Sequence, residues 1–183
     1  MLALEDTQSM RRIAALHGAP SSMIQGLLSS FGERLRDQGF RVAGIIEVSQ
    51  CDSSGGCKNF SVRDILTGFE LPISQQLGSG SEACNLDPGG LASACALMED
   101  AIHEGVDVVV LSKFGKLEAA RSGLCDAFRA AMLADIPVIT AVSPIMSKEW
   151  DCFAGELSEF VDARDDALAA WWEAISGSQV AAA

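Results

Sequence analysis

The sequence is short of basic residues, and this shortage limits what the protein can bind. Lysine and arginine together number 13, against 25 aspartates and glutamates, which gives a formal net charge of −12. Because the phosphate backbone of nucleic acid attracts basic surfaces, we expect no nucleic-acid partner. Any anionic ligand must therefore enter a local pocket of positive charge.

Long apolar runs are also lacking. No stretch approaches the roughly 18 residues that a membrane-spanning helix needs. The N-terminal residues show no basic segment followed by a long apolar one, which is the pattern of a secretion signal. We therefore expect no membrane insertion and a cytoplasmic location.

Cysteine is too sparse to form a disulfide scaffold. The six cysteines are irregularly spaced in a chain of 183 residues, unlike those of small secreted domains. Cys51 and Cys57 are further apart than the paired cysteines usual in zinc sites, so we predict no metal site. Cys95, Cys125 and Cys152 fall in helical patterns and are predicted to be small apolar core residues.

The apolar residues that are present indicate alternating strands and helices. Strands are predicted at residues 12–16, 41–48, 106–111 and 137–141, with a short one near Phe160. Segments 60–65 and 69–73 read as a β-hairpin with Pro72 at an edge. This pattern predicts an α/β fold of three layers, with a mostly parallel sheet and an appended hairpin.

One domain accounts for the whole chain. We place it at residues 1–176 and expect residues 177–183 to be a frayed tail. Asp87 followed by Pro88 predicts a helix start, with Asp87 as the N-cap. In such a fold, ligands bind in the crevice at the carboxyl ends of the parallel strands.

The turn after the first predicted strand lies where a phosphate-binding loop would be, and it consists of Gly18, Ala19, Pro20, Ser21 and Ser22. Such a loop uses backbone N–H groups at a helix N-terminus, a lysine that reaches the phosphates and a hydroxyl that holds magnesium. Here Ile24 stands at the lysine position and Gln25 at the hydroxyl position, so by sequence this is not a P-loop. Two interpretations stay open: Ser21 or Ser22 caps the helix, or an anion rests on the same N–H groups.

Four segments together resemble a bacterial family of unassigned function, whose genes often lie beside those for molybdate transport and molybdenum-cofactor enzymes. The segments are residues 18–20, 42–46, 84–88 and 113–119, and the resemblance extends over nearly all of residues 11–162. That family is in turn similar to small P-loop nucleoside-triphosphatases, whose second motif reads roughly Asp-Glu-Ile-Gly-Lys-Met-Glu. The resemblance implies a P-loop-like fold.

The second motif departs from that pattern at its acids. Gly115, Lys116 and Glu118 match it, but Ser112 stands for the aspartate and Lys113 for the glutamate. The resemblance implies that the aspartate helps hold magnesium and that the glutamate positions water. The closer family usually has Asn before the lysine, so Ser112 departs from it as well. We therefore expect no bound magnesium-nucleotide and no hydrolysis.

Lys113 is the candidate anion ligand. An ammonium group at the tip of a buried strand can hold an anion directly, and the dipole of the helix after the first turn favours the same charge sign. A tetrahedral oxyanion such as molybdate or tungstate, or the phosphate of a nucleotide, would suit this site. The alternative is a structural ion pair between Lys113 and Glu118 or Asp87.

Other side chains are candidates for the same crevice. Cys84 precedes the N-cap Asp87, and its thiol is either a ligand for molybdenum or a buried spectator. Lys116, Glu118 and Arg121 are either ligand contacts or solvated loop charges. His17 follows the first strand, but no catalytic partner can be identified from spacing, so catalytic residues stay unassigned.

Three functions fit these patterns. The leading hypothesis is a non-hydrolysing protein that binds molybdate or tungstate for homeostasis or delivery and forms a homo-oligomer; its molybdenum link rests on the resemblance alone. The second is a nucleoside-triphosphatase or nucleotide-dependent enzyme that takes its missing groups from a partner subunit or another loop. The third is an interaction subunit with an empty pocket, held in an oligomer by its apolar C-terminal helix with Trp171 and Trp172.

Overall fold

The computed structural model describes residues 11–51, 57–74 and 86–181. Within these ranges the strands are β1 Ile13–His17, β2 Val42–Cys51, β3 Cys57–Asp64, β4 Glu70–Pro72, β5 Val108–Phe114, β6 Val138–Val142 and β7 Ser158–Asp162. The helices are α1 Ser21–Asp37, α2 Pro88–Glu104, α3 Lys116–Ala119, α4 Cys125–Leu133, α5 Ser147–Ala154 and α6 Asp165–Ala181. Two short 3₁₀ turns cover Pro144–Met146 and Gly155–Leu157.

The strands form one sheet in the order β4-β3-β2-β5-β6-β1-β7. The strands from β2 to β7 in this order run parallel, and β3 and β4 add antiparallel to β2 as a hairpin. The predicted mostly parallel sheet with an appended hairpin is therefore confirmed. Pro72 lies on the edge strand β4, where its missing N–H removes no hydrogen bond from the interior of the sheet.

Helices cover both faces of the sheet and make two separate cores. On one face α1 and α6 pack on the sheet, and Trp171 and Trp172 of α6 are 6% and 5% exposed in this core. On the other face lie α2, α4 and α5, where Phe114, Phe128 and Trp150 form an aromatic cluster. The three predicted layers are thus present, and the apolar face of the C-terminal helix is used within the chain itself.

Local signals placed most elements to within a few residues, with three differences. β5 continues past Leu111 to Phe114, so that Ser112 and Lys113 belong to the strand. The last helix continues to Ala181, although we predicted a frayed tail from Gly177; one glycine costs a helix only about 1 kcal/mol. Cys152 is exposed, which contradicts its prediction as a core residue, because it lies on the outer side of α5 while Trp150 faces the sheet.

The start of α2 follows its sequence signal. The Asp87 carboxylate accepts a hydrogen bond from the Gly89 amide at 3.0 Å, which is the predicted N-cap. One turn further on, Leu91 begins the buried face of the helix.

No helix in the described ranges combines the length and the apolar character needed to cross a membrane.

Candidate functional site

A cavity of about 590 Å³ lies at the carboxyl ends of β1, β5 and β6. It is lined by the turn after β1, by the end of β5 and all of the loop into α3, and by the residues that follow β6. Its far side is formed by the β3-β4 hairpin and the first turn of α2. This is the edge at which a parallel α/β sheet is expected to bind ligands, and the volume is within the usual range for small-molecule sites.

The turn after β1 leaves amide groups open at the start of α1. Gly18 has φ +83°, a backbone conformation that favours glycine, and it lets the chain turn directly from the strand into the helix. Pro20 is the N-cap, and its carbonyl accepts from the amides of Met23 and Ile24. Among the described residues, no partner is found for the amides of Ser21 and Ser22, and neither side chain caps the helix. The interpretation of Ser21 or Ser22 as a side-chain cap is therefore wrong.

A β-bulge lies at Ser112 and Lys113. β5 pairs with β6 at Leu111↔Thr140 and again only at Phe114↔Val142, so β5 has one extra residue in this interval. Phe114 consequently shares a core with Leu111 despite their odd spacing. Bulges of this kind redirect side chains at the rims of functional sites, and this one brings Lys113 to the lining of the cavity.

Gln25 of α1 joins β2 to β5 where the two strands separate. They pair in parallel only as far as Gly44 and Val110. Beyond that point the Gln25 amide nitrogen donates to the Ser112 carbonyl at 2.6 Å, and its oxygen accepts from the Glu47 amide at 2.7 Å. The sequence alone did not predict this role. The one available signal was an uncharged polar residue beside the apolar stripe of the helix, and Gln25 is indeed only 6% exposed.

Lys113 forms an ion pair with Glu47 of β2. The predicted partners Glu118 and Asp87 were wrong, because the separation of β2 from β5 leaves room for the two side chains to meet across it. The Glu47 side chain is 10% exposed and that of Lys113 is 44% exposed. Glu47 therefore forms part of the inner lining, whereas the ammonium group has access to solvent. Both side chains line the cavity.

Glu118 organises the loop rather than standing free in the cavity. It is 5% exposed, and its two carboxylate oxygens accept from the amides of Gly115 and Leu124 at 2.9 and 3.0 Å. Both oxygens therefore already hold backbone donors of α3 and of the segment leading to α4. The neighbouring Lys116 carries no such bond among the described residues and also lines the cavity.

The structure brings together most of the predicted site. Of the candidates, the cavity is lined by Gly18, Ala19, Ser21, Ser112, Lys113, Lys116 and Glu118. Four others do not line it, namely Pro20, Ser22, Asp87 and Arg121. Cys84 lies outside the described residues, as do the side chains of Cys51 and Cys57. In the part of the chain that is described, no group of three or more potential metal ligands occurs.

His17 also lines the cavity, at the end of β1. Its Nε2 is 3.7 Å from an oxygen of Asp162, and its ring makes an edge-to-face contact with Phe160 at 5.4 Å between centroids. Both neighbours belong to β7, on the side away from Lys113. Phe160 and Asp162 of the edge strand β7 thus orient the His17 ring.

The fold and the cavity define an α/β protein with a cavity of small-molecule size at the carboxyl edge of a parallel sheet. The chain belongs to the family described as "Protein of unknown function (DUF2478)", whose model matches residues 13–171. It is also 38% identical, over 161 residues, to the protein "Molybdenum import ATP-binding protein ModC 2" of Bradyrhizobium diazoefficiens. The match covers 88% of this chain but 18% of that relative, so the chain corresponds to a small part of a much longer protein.

Proposed function

We propose that this chain is a non-hydrolysing oxyanion-binding domain of molybdenum or tungsten homeostasis, built on a degenerate P-loop scaffold. The observation that carries the proposal is the position of Lys113. Lys113 lines the same cavity as the first glycine turn, at the edge of the sheet where an anion would meet the open end of α1. The metal is suggested by the name of the relative, a molybdenum import ATP-binding protein.

Two features of the cavity support binding of an anion in place of magnesium. Gln25 stands where a P-loop has the hydroxyl that holds magnesium. Its side-chain amide is already hydrogen-bonded to the Ser112 carbonyl and the Glu47 amide. The position of the P-loop lysine is taken by Ile24, which is 5% exposed and packs in the core. Neither side chain offers the metal ligand or phosphate clamp of a nucleotide-hydrolysing site.

The ion pair with Glu47 sets how the site would work. With Lys113 held by a carboxylate, an incoming anion competes with Glu47 for the same ammonium group. Removing Lys113 takes away the cation, whereas neutralising Glu47 releases it. The two substitutions should therefore change anion affinity in opposite directions.

Calorimetry with molybdate, tungstate, sulfate and phosphate, each without magnesium, tests the proposal. Lys113→Ala is expected to weaken binding at least about tenfold, close to 1.4 kcal/mol. Glu47→Gln is expected to strengthen it. Lys148→Ala is the matched control, because Lys148 is exposed and does not line the cavity. If none of the four anions binds to the wild-type protein, the proposal is wrong.

Glu47 is also the one observation that favours an enzyme. It is a carboxylate of low exposure at the cavity. It could take the role of the two acids of the second motif, whose positions Ser112 and Lys113 hold in this chain. In that case ATP or GTP with magnesium would be turned over, and Glu47→Gln would abolish the turnover instead of strengthening anion binding. Measuring phosphate release from both nucleotides therefore separates the two functions.

A further inference from the structure

We propose that the cavity also accepts an organic anion, in which one oxyanion group is carried on an apolar body. The anionic end rests on the function proposed above; the apolar end rests on separate features of the cavity. The size of the cavity is the first of these. Four oxygens around a central atom occupy on the order of 100 Å³, judged from the ~30 Å³ that one water takes in the liquid. The cavity is about 590 Å³, so a bare oxyanion would leave most of it unfilled.

Most residues that line the cavity are apolar, and the ion pair of Lys113 and Glu47 lies on one side of it, where β2 and β5 separate. Val62 of β3 is the register partner of Glu47 and adjoins this charged side. The side chains from the end of the hairpin, from α2 and from the segments around α3 and the 3₁₀ turn after β6 are called the apolar end here, namely Ile73, Leu91, Leu124 and Met146. Predominantly apolar walls with a few polar groups at one end are the usual pattern of a site for an organic ligand.

The hairpin and α2 are in close contact beside the apolar end. At Gly90 the two backbones approach so closely that a Cβ would lie 2.4 Å from the Pro72 carbonyl oxygen. The absence of a side chain at Gly90 therefore permits this contact, which fixes the position of Leu91 on α2 relative to Ile73 after β4.

The charges of the lining limit the anionic end to a small net charge. Lys113 and Lys116 are offset by Glu47 and Glu118, so apart from His17 the formal charges cancel. A single oxyanion group that displaces Glu47 from Lys113 would be matched by one ammonium group. The rest of the ligand must then gain its affinity from apolar contact.

Three probes measured by calorimetry separate the two ends of the site: inorganic phosphate, 1-naphthol and 1-naphthyl phosphate. We expect 1-naphthyl phosphate to bind at least tenfold more tightly than either of the others. Leu91→Trp fills the apolar end, and it should weaken 1-naphthol and 1-naphthyl phosphate at least fivefold while leaving inorganic phosphate unchanged. Leu97→Trp is the matched control on the same helix, because Leu97 is 48% exposed and does not line the cavity. Ile73→Phe is a second filling variant in case the first does not fold, as judged by circular dichroism.

The outcomes distinguish this inference from the function on which it rests. If 1-naphthyl phosphate binds no more tightly than inorganic phosphate, and both depend on Lys113, the organic body is refuted and the oxyanion function stands. If 1-naphthol binds as tightly as 1-naphthyl phosphate and inorganic phosphate does not bind, the anionic end is refuted together with the proposed function. Equal weakening by Leu91→Trp and Leu97→Trp would show that the apolar end is not the binding surface.

Discussion

Gln25→Leu tests whether the separation of β2 from β5 is maintained by a single buried amide. Leucine keeps the size of the side chain but can neither donate to the Ser112 carbonyl nor accept from the Glu47 amide. Both backbone groups would lose their protein partner. The bond to Ser112 is buried and the bond to Glu47 is partly buried, so the second group can recover a water more easily.

The magnitude follows from these two bonds. Leaving a buried backbone group without its partner costs about 1–3 kcal/mol, and a partly buried one costs less. We therefore expect Gln25→Leu to lower the free energy of unfolding by roughly 2–4 kcal/mol. With a denaturant dependence of about 2 kcal/mol/M, the urea midpoint should fall by roughly 1–2 M.

Urea denaturation is the assay, with Gln38→Leu as the matched control. Gln38 is exposed just after α1, and its replacement should change the free energy of unfolding by no more than about 0.5 kcal/mol. Hydrogen exchange adds a local measurement, since the Glu47 amide should exchange faster in Gln25→Leu but not in Gln38→Leu. If both variants were as stable as the wild type, the separation of the strands would not depend on Gln25.

Three further predictions concern other parts of the chain. The hydrogen bond from Arg41 holds the pKa of Asp107 below its usual value, so its stabilisation is present above the unfolded-state pKa of about 3.9 and is lost as the pH falls through the lower folded-state pKa. The stability difference between wild type and Asp107→Asn, measured by urea denaturation, should therefore shrink below about pH 4. Burial raises the pKa of the Cys95 thiol, whereas Cys152 is exposed. Iodoacetamide should therefore modify Cys152 faster than Cys95, as measured by mass spectrometry, and equal rates would contradict this. Glu118→Ala should lower the free energy of unfolding by more than Glu118→Gln does, and the loss should be about 2 kcal/mol or more, because alanine leaves two backbone amides without acceptors.

The parts of the fold that could be predicted from sequence depend on short-range chemistry. Asp87 caps α2 through an amide two residues away, and Pro72 must avoid the interior of a sheet whatever its neighbours are. The strands and the hairpin follow from local apolar patterns, since a buried parallel strand needs apolar residues on both faces. The position of the cavity followed from the architecture alone, because the carboxyl ends of parallel strands meet at one edge of the sheet.

The partners within the site could not be predicted in the same way. The bulge in β5 depends on how β5 pairs with β6, which the sequence of β5 alone does not indicate. This bulge brings Lys113 to the lining of the cavity. Glu47 lies near the middle of a long strand, where alternation with apolar residues indicates only that it points away from Ile46. Its proximity to Lys113 arises because β2 leaves β5 after Gly44. Residues far apart in the chain thus fix the charge that the site presents.

This non-local origin determines what the motif around Lys113 can do. In the sequence, the replacement of an acid by Lys113 suggests that the charge of a magnesium site is reversed and that the ammonium group is free. In the folded chain the same lysine meets the carboxylate of Glu47, so the reversal is only partial and the two side chains together are neutral. An anion can bind Lys113 only by displacing Glu47, whose carboxylate then needs water to compensate for the lost ion pair. At constant pH, Glu47→Gln should therefore bind phosphate more tightly than the wild type does, because no carboxylate competes for the ammonium group. A calorimetric titration in which wild type and Glu47→Gln bind phosphate equally tightly would mean that the carboxylate does not control access to the ammonium group.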